Sequence, residues 1–484
     1  MAFLSDFLLS AEVKTWLTVV LPTIFITYWI SWVFYARNFH PLAQIPGPFW
    51  PSVTRVWIVY HAHAGDLEIQ QRALHERYGP LVRVAPDEVV CADPREIPTI
   101  YPLSKPLEKT PWYDVWRPVG LPGRRDMFTN RSEKDHAAYQ RMVAHIYSLS
   151  NVLKSEPELD KTCSLFIERL GEFADSNEAF DFGLWLEMYC YDNIGVIFFG
   201  KQFGFLKDRI DYKNYIKSVH QAMPLLHALA SAPAYARPFL IGGAVCVPKL
   251  LKAVFAVDNV RRTAQRETYG AQERAEADTE KRVDMTSAML RIMRDKGNKH
   301  NFGLNEIASE NFIAVMAGAD STSISLRSVF YFMMKNAKTL EKARAEVDAA
   351  FANGTLTSPV QQSQAVKLTY VSAVIRESFR LFSPFSVSQS RYSPSQGVVI
   401  AGTYIPSGWR IGCNPAVVQH HKQVFGEDAE SFRPARWIDS SAEQIKLMNR
   451  CMQHFGAGTR RCTGQNVSRL LRRALRCANK YRLP

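Results

Sequence analysis

Phe455-Gly456-Ala457-Gly458-Thr459-Arg460-Arg461-Cys462-Thr463-Gly464 sets one cysteine among glycines and arginines, directly ahead of a helical pattern. Val467, Leu470, Leu471, Ala474, Leu475 and Ala478 recur at the spacing of one helix face. Cys462 is therefore expected where a helix begins. Free backbone N–H groups and the positive end of the helix dipole favour a thiolate there. The glycines allow tight turns and the close approach of a large flat ligand. Arg460 and Arg461 place cationic donors beside the sulfur, suited to carboxylates.

A thiolate in such a loop is the proximal ligand expected of an oxygen-cleaving haem, with the arginines meeting its propionates. The competing reading is a buried structural cysteine in a glycine turn. The stretch resembles the haem-binding signature of the cytochrome P450 superfamily, Phe-x-x-Gly-x-Arg-x-Cys-x-Gly. Phe455, Gly458, Arg460, Cys462 and Gly464 all match. The resemblance implies a mainly α-helical fold with small β-sheets, and haem b bound through Cys462 as the axial iron ligand.

Met316-Ala317-Gly318-Ala319-Asp320-Ser321-Thr322 lies inside a helical pattern, where glycine costs about 1 kcal/mol against alanine. Small residues there would let a flat cofactor and a diatomic ligand approach the helix, or would serve helix–helix packing. Asp320 with Ser321 or Thr322 offers a carboxylate and a hydroxyl for relaying protons. The segment resembles the superfamily's oxygen-binding motif, with Ser321 where threonine is usual. A serine rotamer is less restrained, so oxygen cleavage is expected to couple less tightly to product.

Glu377 and Arg380 share a helical face. They resemble the superfamily's Glu-x-x-Arg pair. Phe432-Arg433-Pro434-Ala435-Arg436-Trp437 resembles the later segment whose arginine bridges that pair, with Ala435 replacing the usual acid. The implied role of Glu377, Arg380 and Arg436 is structural. His136 with Arg141 resembles a helix that meets a propionate, although Gln140 occupies the regular arginine position. Arg391 matches another propionate-binding arginine. Ala317, Phe385, Ser386 and Val387 are expected on the substrate side. His420, His421 and His454 lack ligand spacing.

The 22 residues from Thr15 to Ala36 carry no charge, enough to span about 30 Å of hydrocarbon as a helix. Asp6, Glu12 and Lys14 precede the run, and Arg37 with a basic chain follows it, so the positive-inside rule places the N-terminus in the lumen and the body in the cytosol. The run is too long for the apolar core of a cleaved signal peptide. Residues 1–14 are then lumenal, 15–36 a single-pass signal anchor, 37–51 a stiff proline-rich hinge and 52–484 the haem-thiolate domain. The implied location is the endoplasmic reticulum membrane.

The 8 cysteines show no CxxC or zinc spacing, which excludes a disulfide framework and fits a reducing compartment. Of the net charge of +13, eight positives fall between Arg460 and Arg482 with no acid among them. That stripe reads as a solvated face or as a docking patch for an acidic protein or membrane. Nothing resembles a nucleic-acid reader. Strands are expected at 81–84, 89–90, 398–400 and 410–412, helices at 305–336, 340–351 and 367–382, and one solvated helix over 261–296. Residues 221–256 read as helices joined by a lipophilic loop that dips into the membrane.

Phe39-His40-Pro41-Leu42, Leu74–Val84 and Asp93–Ile97 resemble fungal members of the pisatin-demethylase and trichothecene-oxygenase type. This implies a monooxygenase of secondary metabolism acting on a lipophilic terpenoid, polyketide or alkaloid, with O2 and electrons from NADPH–cytochrome P450 reductase. The alternative is an isomerase or dehydratase on the same fold without oxygen activation. Only 22 residues follow Cys462, where family members continue into a hairpin over the pocket. A truncated chain with weak haem binding and poor turnover is the corresponding expectation.

Overall fold

The N-terminal apolar run is one helix, Val13–Asn38 (α1), in the computed structural model, which describes residues 11–117, 120, 123, 126–244, 246–277 and 283–471. Its most apolar window has mean hydropathy 1.8 and buries none of its residues. Among the described residues it is the one helix long and apolar enough to cross a membrane. A wider π-helical turn, Trp16–Val20, lies just ahead of Pro22. Pro22 then opens the next segment, where a missing N–H costs nothing.

The stretch after α1 is not the extended linker expected of it. The chain turns at 39–45, and Phe49–Val53 forms a short helix (α2), followed by Val56–Ala64 (α3). Pro48 flanks the start of α2 and Pro51 lies inside it, so proline here starts a helix instead of preventing one. Leu81–Ala85 (β1) and Glu88–Cys91 (β2) pair antiparallel about Pro86 and Asp87. Arg83 of β1 fastens the strap: its N–H donates to Pro46 O at 2.9 Å, and its Nη1 to Ala36 O at 2.9 Å. Trp32 Nε1 donates to Val53 O at 2.8 Å.

Helices dominate the chain from 133 to 381. Glu133–Val143 (α4) starts at Ser132, whose hydroxyl accepts from Asp135 N. Phe182–Phe199 (α5) is apolar nearly all round, and nearly all of it is buried. Tyr215–Ser231 (α6) and Pro248–Ala277 (α7) pack beside it, and Leu304–Lys335 (α8) crosses them over about 48 Å. Thr369–Leu381 (α9) closes this core.

The charged stretch 261–296 is not one solvated helix. It divides between α7 and a second helix, Met285–His300. Val260, Ala264, Thr268 and Ala271 form a buried stripe on α7, so the charges cover one face only.

Arg391–Tyr392 (β3) pairs with Arg410–Gly412 (β6), giving a four-stranded sheet in the order β1-β2-β6-β3. Val398–Ile400 (β4) and Thr403–Ile405 (β5) make a separate hairpin. Ala442–Cys451 (α10) precedes the cysteine loop, and Gln465–Leu471 (α11) follows it. The remainder of the expected terminal helix, with Arg472, Arg473, Arg476 and Lys480, lies outside the described residues.

Candidate active site

The cysteine loop is built by two backbone constraints. Gly458 has φ +65°, and a Cβ there would sit 2.6 Å from Tyr101 O, so the loop closes on the sheet side only with glycine. Cys462 N donates to Phe455 O at 2.8 Å, tying the loop ends together. The N–H groups of Gly464 and Gln465 point at the sulfur. Burial nonetheless raises the Cys462 thiol above its ordinary value, and those N–H groups and Arg461 offset this only in part. The helix start and Arg461 favour the thiolate against desolvation, and a bound metal would ionise the sulfur fully. Cys462 is desolvated yet keeps accessible surface, as does Ala317 on α8. Both facts hold for a sulfur that opens onto an internal chamber.

Beside that chamber, Lys109, His136, Arg391 and Arg460 converge. Lys109 is joined to Arg391 by a single bridge at the sheet edge and donates to Phe128 O at 2.6 Å. Arg391 Nη1 donates to Tyr113 Oη at 2.7 Å. Burial, with Arg391 and Arg460 adding repulsion, drives Lys109 well below the usual lysine range. Burial, Arg460 and Lys109 push His136 down to about 3, so its imidazole is neutral. Arg460 bonds Glu133 Oε1 at 2.5 Å and Asn130 O at 2.7 Å. The buried cations exceed the neighbouring carboxylates Glu133 and Asp126, so the cluster suits a ligand with two carboxylates. Arg141 is solvent-exposed and is not brought to this cluster, because five residues along α4 turn it well away from His136.

Ser321 Oγ donates to Ala317 O at 2.6 Å, back-bonding the helix where Ala317 meets the chamber. Thr322 is buried. A Cβ on Gly318 would lie 2.9 Å from Ile194 Cδ1, so this glycine serves helix–helix packing against α5, and Ala317 provides the open surface. Asp320 points to α5 and α6. Burial and the charge of Glu187 push its carboxyl up to about 6, with His220 and Arg327 opposing.

Glu377 organises the layer behind the loop. Arg380 Nε and Nη2 donate to its two oxygens at 2.9 and 2.8 Å. Arg436 Nε reaches Oε1 at 3.2 Å, Trp437 Nε1 reaches Oε2 at 2.9 Å, and Arg433 N adds 3.1 Å. Arg436 also pairs with Asp428 at 2.7 Å, a second acid contributed from outside the motif that carries Ala435. On the outer side of the loop, Leu103, Lys446, Arg450, Gly458 and Arg461 line an open cleft of about 530 Å³.

Residues 48–471 match the family model described as Cytochrome P450. The chain belongs to the cytochrome P450 family. It is 37% identical over 445 residues to the cytochrome P450 monooxygenase gsfF of Penicillium aethiopicum, covering 91% of this chain and 87% of that one. It is 47% identical over 330 residues to the cytochrome P450 monooxygenase ACRTS1 of Alternaria alternata, covering 68% and 87%. A cytochrome P450 monooxygenase of Aspergillus terreus is 31% identical over 97% of this chain and 94% of its own. This P450 is therefore a monooxygenase, with haem b as the family's usual cofactor and with O2, a redox partner and a small-molecule substrate. The cofactor fits the residues described: an accessible, enclosed sulfur, and a surplus of buried cations for two propionates.

Sequence reading missed Lys109 and Tyr113, which lie in a turn-rich segment without periodicity. It also missed Glu310, whose Oε1 accepts from Met127 N at 2.8 Å and whose Oε2 accepts from Tyr147 Oη at 3.4 Å. A carboxylate amid the apolar positions of a helix was the available signal.

Proposed function

We propose that this P450 is a membrane-anchored monooxygenase that hydroxylates a lipophilic terpenoid, polyketide or alkaloid intermediate of fungal secondary metabolism. The observation that carries this reading is the accessible sulfur of Cys462, enclosed beside the cations Lys109, Arg391 and Arg460. In this reading Cys462 holds the iron, Arg391, Lys109 and Arg460 hold the propionates, and His136 packs against them. Phe455 flanks the sulfur, and Gly458 lets the loop approach. When bound, the haem supplies cleavage of the O–O bond and insertion of one oxygen atom.

Asp320 holds a proton behind α8, and the Ser321 hydroxyl, hung on Ala317 O, passes it to the chamber; Thr322 is the reserve hydroxyl. Glu377, Arg380 and Arg436 keep the loop rigid. Trp112 and Phe385, in contact across 6.1 Å, would exclude water from a lipophilic substrate.

NADPH–cytochrome P450 reductase is the proposed electron donor, docking on the cleft edged by Lys446, Arg450 and Arg461. α1 would hold the protein in the endoplasmic reticulum membrane, its N-terminus lumenal. The outward Phe239, Leu240, Ile241 and Phe255 would lie in the same bilayer, as expected of 221–256.

Deleting the gene and profiling metabolites tests this reading. A lipophilic precursor, lighter by one oxygen than the lost product, should accumulate. Loss of a product isomeric with its precursor would overturn monooxygenation as the native reaction.

A further inference from the structure

We propose that His220, held by Glu187, is the point at which solvent protons enter this P450 on their way to Asp320. The inference rests on the relay assigned above to Asp320 and Ser321, and extends it to the protein surface.

Three helices meet behind Asp320. Glu187 comes from α5 and has no exposed surface; its Oε1 bonds His220 Nε2 of α6 at 3.0 Å. Arg327, two turns after Asp320 on α8, donates to Glu187 Oε2 at 2.6 Å and balances its charge. A carboxylate oxygen of Asp320, one of Glu187 and a ring nitrogen of His220 all lie within 4.8 Å of one another. A small side-chain rotation therefore brings His220 to Asp320.

The gradient of exposure gives the direction. The His220 side chain is 51% exposed, against 36% for Arg327, a part-buried Asp320 and a fully buried Glu187; the guanidinium does not give up its proton, so the imidazole is the best-exposed group able to exchange one with bulk water. The step balances simply. Imidazolium gives its proton to the Asp320 carboxylate, leaving neutral His220 and a carboxylic acid, and water reprotonates the ring. Glu187 raises the affinity of His220 for a proton, and burial with Glu187 raises that of Asp320 to about 6. Both groups thus hold a proton more readily than they would in free water, which suits a donor and an acceptor in one relay. The other titratable groups near Asp320 are Cys190 and Tyr191 of α5, both pushed up by burial and therefore neutral, so neither carries the proton.

His220→Gln keeps a hydrogen bond to Glu187 but cannot carry a proton, and His220→Phe removes both capacities. The holoenzyme is read in two ways. Infrared titration of the carboxylic C=O band that disappears in Asp320→Asn should give a midpoint near pH 6 and move upward in both variants. With ethoxycoumarin as the probe substrate, NADPH-driven dealkylation should fall about tenfold in both, with more hydrogen peroxide per NADPH. Dealkylation driven by iodosylbenzene, which donates an oxygen atom without consuming protons, should be unchanged.

Wild-type behaviour of His220→Gln in the infrared titration overturns the proposal, as does equal loss with both oxidants. If ethoxycoumarin is not turned over, the infrared midpoint decides alone. If Asp320→Asn itself leaves the peroxide ratio unmoved, the relay reading has failed, a result distinct from failure of His220 alone.

Discussion

Arg380 meets Glu377 through two parallel hydrogen bonds, 2.9 and 2.8 Å long, with neither side chain exposing any surface. Breaking a buried pair leaves an uncompensated charge and costs about 3–5 kcal/mol. Glu377→Gln and Arg380→Met should each remove most haem-loaded protein, measured as Soret absorbance against total protein. Arg436→Met should do the same, because it breaks both the 3.2 Å contact to Glu377 and the 2.7 Å pair with Asp428.

Cys462→Ala should abolish the red-shifted Soret band of the dithionite-reduced, carbon monoxide-treated protein. Arg461→Ala, at an exposed neighbour, should retain it. Retention of the band in Cys462→Ala would assign the ligand elsewhere.

Lys109→Met removes a buried cation from the cluster proposed to hold the propionates and leaves Cys462, the proposed iron ligand, untouched. Loss of one charge-assisted hydrogen bond should speed haem transfer to excess apomyoglobin about tenfold. Arg141→Ala, on the outer face of its helix, should leave the transfer rate alone.

Glu310 supplies a pH dependence. Burial, with Asp126 nearby, pushes its carboxyl up from 4.5 to about 8 in the folded protein. A raised carboxylic pKa means that the folded chain binds this proton more tightly than the unfolded chain does. Its stabilisation is complete below about pH 4.5, shrinks as pH rises and is gone above about 8. Glu310→Gln keeps the acceptor for Met127 N and should flatten the fall of the thermal midpoint between about pH 4.5 and 8.

What the sequence disclosed follows from how locally each feature is determined. Phe455–Gly464, Asp320–Ser321 and the spacing of Glu377 and Arg380 are short-range patterns, so their elements were legible. Strands at 81–85 and 88–91 declared themselves through β-branched runs around Pro86-Asp87. Lys109 and Tyr113 were hidden because their meaning arises from Arg391, which lies more than 270 residues away. The same holds for Glu133, which engages Arg460 only after the loop and α4 have been brought together. Gly318 left two readings open because a small residue reads alike whether it faces a ligand or Ile194.

The fastening of α1 to the body by Trp32–Val53 and Arg83–Ala36 changes what an anchor can do. A loose tether lets an enzyme wobble over a bilayer and sample every orientation. In the bilayer proposed for α1, a riveted anchor would work as a lever: the tilt of α1 would set the pitch of the body and the depth of the apolar side carrying Phe239 and Phe255. A thinner or thicker bilayer would then be felt as a rotation of that apolar side. In that proposed setting, lipid thickness would reach the body as torque through Trp32 and Arg83.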